Sequence, residues 1–244
     1  MGNPLDFISG LDKSSDMYNE QKELIETLAA LAQSKSDSFA LQIEKNIAEA
    51  DTEFNKSLPV EAWISTEKQS HAIATEGATD LISQVAGQVK QFIQQDGQSD
   101  DQHTENIIDG IGGLLGSAVD VFLGAGQASD DLLERMCVYM HGFGVERLDF
   151  KLWKREIQGS GIKDKVSKVV CFVGVRSAVD LSKVKLNTFL ILYGKQLTAM
   201  GYKDSELEEA IDAAKRILQK FKMDNSASED FIDVAKATAL IEGS

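Results

Sequence analysis

Proline is nearly missing from this chain. Only Pro4 and Pro59 occur in 244 residues, where average usage of roughly 5% would place about 12. Residues 60–244 therefore run for 185 positions without one. Proline removes an amide donor, clashes with the preceding helical turn and marks turns in β-rich chains. Its absence predicts helices joined by glycine and polar turns. Hydrophobic residues at 43% and charged residues at 26% exclude the disordered, collagen-like and disulfide-scaffold classes. The expectation is an all-α fold: one domain over 1–244, built as a bundle of about seven or eight helices.

Hydrophobic spacing fills in that expectation. Leu24, Leu28 and Leu31 predict a first helix, with Ser36-Asp37-Ser38 as the cap of a second that carries Ile43, Ile47, Ala50 and Phe54 and ends at Leu58-Pro59. From Pro59 to about Gln95 the chain reads as helix, and 96–105 as a polar, acidic loop. Leu207, Ile211, Ala214, Leu218 and Phe221 follow the capping-box pair Ser205 and Glu208, which predicts a helix there, and a last one is expected over Phe231–Ile241. Residues 162–199 are rich in valine, which favours strands. Ile162, Val166, Val169, Val173 and Val184 also fit a 3.6-residue period, so helix is the primary reading. A small β-hairpin within 165–195, joining Val169–Val175 to Asn187–Tyr193, is the alternative.

The most specialised stretch is 107–126, IIDGIGGLLGSAVDVFLGAG, with six glycines in 20 residues. Each glycine costs ~1 kcal/mol relative to alanine within a helix. Wound as a helix, Asp109, Gly113, Gly116, Asp120 and Gly124 fall in one arc with Gly112 and Ser117 at its edges. Ile107, Ile111, Leu114, Leu115, Ala118 and Phe122 lie opposite. Small residues four apart permit close backbone approach, in lipid or in tight soluble packing. Two aspartates at ~3 kcal/mol each disfavour a single transmembrane span, whereas a ring of such helices could turn its acidic faces to water. In layout, the chain resembles the small all-helical pore-forming toxins. The likeness is one of arrangement and carries over no residues.

Charge is unevenly spread. The net charge is −14, which argues against nucleic acid as a partner, since that binding rests on Lys and Arg neutralising phosphates. Residues 1–130 carry 7 basic and 22 acidic groups, whereas 131–202 carry 12 and 7. The basic middle, with Lys151, Lys154, Arg155, Lys163, Lys165 and Lys168, is expected to meet either the acidic half of this or a second copy, or anionic membrane lipid. Two cysteines suggest a reducing compartment, and the first residues have no basic and apolar leader pattern. The default expectation is cytoplasmic, with signal-free export as the alternative.

Chemistry-bearing motifs are sparse. Cys137 and His141, four apart, would share a helix face and supply half a zinc site with Cys171 as a third ligand, but nothing near them completes it. There is no nucleophile elbow, phosphate loop, zinc-protease motif or dinucleotide fingerprint. No metal, cofactor or catalytic residue is expected. The functional expectation is a non-enzymatic, self-associating protein that either disrupts membranes through 107–126 or, with that segment buried, builds homo-oligomers, filaments or crystals. A carrier of an apolar ligand is the third reading.

Overall fold

The computed structural model describes residues 16–50, 58–74, 87–88, 91–92, 102–124, 130–141, 144–156 and 166–220. In chain order the elements are helix α1 (Asp16–Ala48), strand β1 (Val60–Ala74), helix α2 (Gln102–Gly124), strands β2 (Asp131–His141), β3 (Gly144–Glu156) and β4 (Val166–Val179), helix α3 (Leu186–Ala199) and helix α4 (204–220). The four strands form one antiparallel sheet in the order β1-β4-β3-β2.

This mixed α/β architecture overturns the all-α bundle. The scarcity of proline misleads because a central strand excludes it for the same reason a helix does, through the lost amide donor. Residues 60–74, expected within a long helix, are a strand, and so is the valine-rich 166–179. The hairpin alternative fails as well: Val169–Val175 pairs with β1 and β3, and Asn187–Tyr193 lies in α3.

Helices cover both faces of the sheet. On one face α1 crosses β4 and β1 and reaches β3, burying Leu28, Ala32, Phe39 and Ile43 against Trp153, Val169, Cys171, Val173 and Val175. On the other face α2 places Ile107, Ile111, Leu115, Val119 and Leu123 in a core with Leu148, Phe150, Leu152, Val170 and Phe172. Phe189, Tyr193 and Leu197 of α3 and Ala210, Ala214 and Leu218 of α4 complete that side. Successive residues of a strand point to opposite faces, so a strand covered twice must be apolar nearly throughout. In β3 every residue from Val145 to Lys154 is buried. That continuity erases the two-residue alternation by which a half-exposed strand is recognised.

The helical readings fare better at both ends. One 33-residue helix replaces the two expected before Leu58, because Ser36 is buried inside α1 instead of capping a new start. The helix expected behind Ser205 is present as α4, but it begins at Asp204 with its first turn bonded to the Lys203 carbonyl, so Ser205 lies inside the helix instead of capping it. Residues 102–105 of the expected acidic loop form the first turn of α2, while 96–101 and the last expected helix lie outside the described residues.

The reading of 107–126 as a pore-forming element is also overturned. The segment is helical through Gly124, but its apolar side is spent on the sheet, and no helix among the described residues is long and apolar enough to cross a membrane.

Candidate functional site at the two sheet edges

A strand pairs on two sides, so the outer sides of β1 and β2 decide what the sheet can still bind. The two are treated differently. At β2, the side-chain amide of Gln196, projecting from α3, sits against Val138. Gln196 Oε1 accepts from the Val138 amide at 2.8 Å, and Gln196 Nε2 donates to the Val138 carbonyl at 2.7 Å. A glutamine thus imitates the next strand for one residue, and α3 packs against β2 beside it. Leu114, Leu115 and Ala118 of α2 face Leu192, Lys195 and Ala199 of α3 across a cleft of about 430 Å³, floored by Arg135–Val138.

β1 is left open. It runs for 15 residues, pairs with β4 from Val60–Val179 to Ala74–Val166, and has no second partner strand among the described residues. Register shifts fall between Val60 and Ala62, Trp63 and Ser65, and Ile73 and Ala74. At the second of these irregularities Trp63 is 46% exposed and Ile64 41% exposed. The other indole, Trp153, is buried and donates through Nε1 to Asp130. Lys68 of β1 reaches Asp37 on α1 at 3.2 Å. Hydrogen bonds from Gln33 and Lys68 hold the Asp37 carboxyl below its ordinary range. Further along, burial lowers the pKa of His71, whose Nε2 lies 3.1 Å from Gln69 Oε1.

Between the edges lies a buried polar set. On the α2 face Tyr139 donates to Glu146 at 2.6 Å, and Arg176 donates to the same carboxylate oxygen at 2.9 Å and 3.1 Å. These three residues come from β2, β3 and β4 and tie the strands into one register. Burial first, then the Glu146 charge, push the Tyr139 phenol well above its ordinary pKa. On the α1 face Arg147 grips Asp149 with two hydrogen bonds of 2.6 and 2.8 Å and donates to the Leu58 carbonyl. Paired and sealed from solvent, these groups suit scaffolding.

The residues singled out in the sequence separate under this geometry. Asp109, Gly113 and Asp120 lie on the exposed side of α2, Gly116 is half-buried, and Gly112 is buried. Gly124 ends the helix. A side chain added at Gly113 or Gly116 would meet open space. Phe122 is half-buried, and its carbonyl accepts from Lys154 Nζ at 2.6 Å. The basic group is split. Lys151 is buried, bonded to Gln42 and paired with Glu134. Lys154 is buried against Phe122 and Asp131. Neither ammonium is presented to solvent. Arg155 is exposed, Lys168 belongs to β4, and Lys163 and Lys165 lie outside the described residues.

Comparisons with known protein families, with curated proteins and with solved structures find no match to this chain. The chemistry therefore rests on its own geometry. No group of three or more metal-ligating side chains occurs among the described residues. Cys137 and His141 share β2, where four residues separate their Cα atoms by on the order of 13 Å. Cys137 lies in the α2-side core and Cys171 in the α1-side core. Burial pushes both thiols up to about 12.

Sequence reasoning missed Gln196, Trp63 and Ile64, the residues that close one edge and mark the other. The available signal was Pro59 directly before a run mixing Val, Trp, Ile and Thr, a strand start on an edge. Gln196 had no signal, because its partner is 58 residues away.

Proposed function

We propose that this protein is a non-enzymatic, self-associating component whose copies join through β1 into a continuous antiparallel sheet. The observation that carries the reading is the 15-residue edge, unpartnered among the described residues, that exposes Trp63 and Ile64 beside an opposite edge closed by Gln196. An open edge presents a row of amides and carbonyls to a further strand. A two-fold axis perpendicular to the sheet would bring two β1 strands together antiparallel, an isologous contact that closes as a dimer. The closed β2 edge limits growth beyond two copies through the sheet.

Charge complementarity between copies is a weaker basis than the sequence implied. Four of the twelve cations in 131–202, namely Arg147, Lys151, Lys154 and Arg176, are buried with intramolecular partners. What two copies share is repulsion between two −14 charges, screened over roughly 8 Å at 0.15 M salt. Association through β1 should therefore strengthen with salt, whereas a contact between oppositely charged halves would weaken.

Sedimentation velocity over a hundredfold range of protein concentration, at low and at 0.5 M salt, tests this. The expected result is a monomer–dimer equilibrium that shifts toward dimer with salt and is lost in the Ile64→Lys, Thr66→Lys double variant. A monomer under every condition, or a dimer indifferent to the two lysines, would refute the reading.

A further inference from the structure

The cleft beside the closed edge carries a second inference, independent of β1. Its walls are Leu114, Leu115 and Ala118 of α2 and Leu192 and Ala199 of α3. Its floor is β2, where the polar groups of Val138 and Gln196 are consumed by one another. The interior thus offers dispersion and burial, with little hydrogen bonding. At about 430 Å³ it falls within the range of small-molecule sites.

Two cations stand in its lining. Arg135 shares its strand face with Leu133 and Cys137, both buried in the α2-side core, so its side chain rises on the side of α2 and α3. Lys195 is exposed on α3, one turn before Ala199. Arg135 donates to the backbone carbonyl of Glu134, and neither residue forms an ion pair with a described carboxylate. The Arg135 charge is felt inside the cleft, where it partly offsets the rise that burial imposes on the Cys137 thiol. The buried strand cations of β3 and β4, Arg147, Lys151, Lys154 and Arg176, are each matched to a carboxylate. Two unmatched cations in the lining of an apolar cleft, on a chain of net charge −14, form a local positive site on an acidic molecule.

We infer that the cleft between α2, α3 and β2 binds a long-chain fatty acid as its anion, with the acyl chain between the two helices and the carboxylate at Arg135 and Lys195. An apolar chain satisfies the walls and a single carboxylate satisfies the cations. A neutral amphiphile would leave both cations as they are. An aromatic dianion would have to bury its second charge among leucines.

Isothermal titration of the delipidated 244-residue chain with sodium palmitate, and in parallel with hexadecanol, tests the inference below the critical micelle concentration. Saturable binding of one palmitate per chain is expected, at least tenfold tighter than hexadecanol. The Arg135→Glu, Lys195→Glu variant alters two side chains outside the core and should fold, with palmitate affinity reduced at least tenfold and hexadecanol affinity little changed. Ala118→Trp should abolish both by filling the cleft; if circular dichroism shows it unfolded, the charge-reversal variant decides alone. No saturable palmitate binding, equal affinity for acid and alcohol, or wild-type affinity in the charge-reversal variant would each overturn the inference.

Discussion

The two edges of the sheet face the same physical problem and resolve it in opposite ways. At β2 a single glutamine from α3 answers both hydrogen-bonding groups of Val138, and α3 packs beside them, although Leu132 and Met136 stay exposed. Among the described residues, the fifteen of β1 end the sheet on its other side, with Trp63 and Ile64 in view. Edge strands are usually blunted by charge, proline or covering elements. β1 has charges at Glu61, Glu67 and Lys68 and a proline just before it, yet its irregular stretch at Trp63 and Ile64 is apolar. The difference teaches where a partner has room: the covered side leaves a cleft suited to a small amphiphile, and the uncovered side leaves a strand's worth of backbone for a second copy.

The largest effect should strike both sides together. Cys137 lies on the closed-edge strand and Cys171 on the strand next to the open edge, and both thiols are raised to about 12 by burial. A thiol that holds its proton more tightly when folded contributes fully below the ordinary thiol range. That contribution is lost as pH rises from about 9 toward 12, at ~1.4 kcal/mol per pH unit for each thiol. Urea midpoints should fall steadily above pH 9, and a Cys137→Ala, Cys171→Ala protein should show a much flatter profile. An unchanged slope in that variant would remove the thiols from the account.

A more selective break is Gln196→Leu, which strips both partners from Val138 and leaves a buried amide and carbonyl unanswered, at about 2–4 kcal/mol. Denaturant titration measures that loss. The same change opens a second edge, so the closed dimer expected of the wild type should give way to open-ended polymers in light scattering. Polymers absent despite the measured loss would mean that α3 alone keeps this edge shut.

Gly174 sharpens the comparison from the middle of the sheet. Its strand position pairs with Phe150 on one side and Glu67 of β1 on the other, and Phe92 Cε1 lies 2.5 Å from where a Cβ would sit. Gly174→Ala must move that ring, at about 1–3 kcal/mol, with no change in association per folded chain. Smallest in stability is Ile64→Lys, within about 0.5 kcal/mol of wild type as an exposed substitution, although it should shift the monomer–dimer equilibrium most. Trp63 fluorescence should report the shift, moving to shorter wavelength on dilution-reversible association in the wild type and staying fixed in the variant.

Some of this was legible in the amino-acid order alone. The amphipathic course of α2 follows from its spacing: of the apolar side it predicts, Ile107, Ile111 and Leu115 are buried and Leu114, Ala118 and Phe122 half-buried, while Asp109, Gly113 and Asp120 face outward. In α4, Ala214 and Leu218 of the predicted stripe are buried and Leu207 and Ile211 half-buried. Helix periodicity is local, so it survives reading without the rest of the chain. Strands β3 and β4 were not legible, because their character depends on what covers them. With α1 on one side and α2 on the other, Val169 to Val175 is buried at every position, and a continuous apolar run is as compatible with one element as the other.

The candidate sites lay furthest from the sequence. Lys151 and Lys154 read as a basic surface in one dimension, yet the fold turns them inward onto Gln42, Glu134, Phe122 and Asp131. Which edge is closed depends on Gln196 meeting Val138, and the cleft depends on α2 and α3 converging over β2. Composition and spacing determined that the chain has a core, where two of its helices turn their apolar sides, and that it is acidic overall. Strand order, the fate of each cation and the choice of open edge were decided only in the tertiary structure, because each depends on groups brought together across tens of residues by a sheet whose pairing no local pattern encodes.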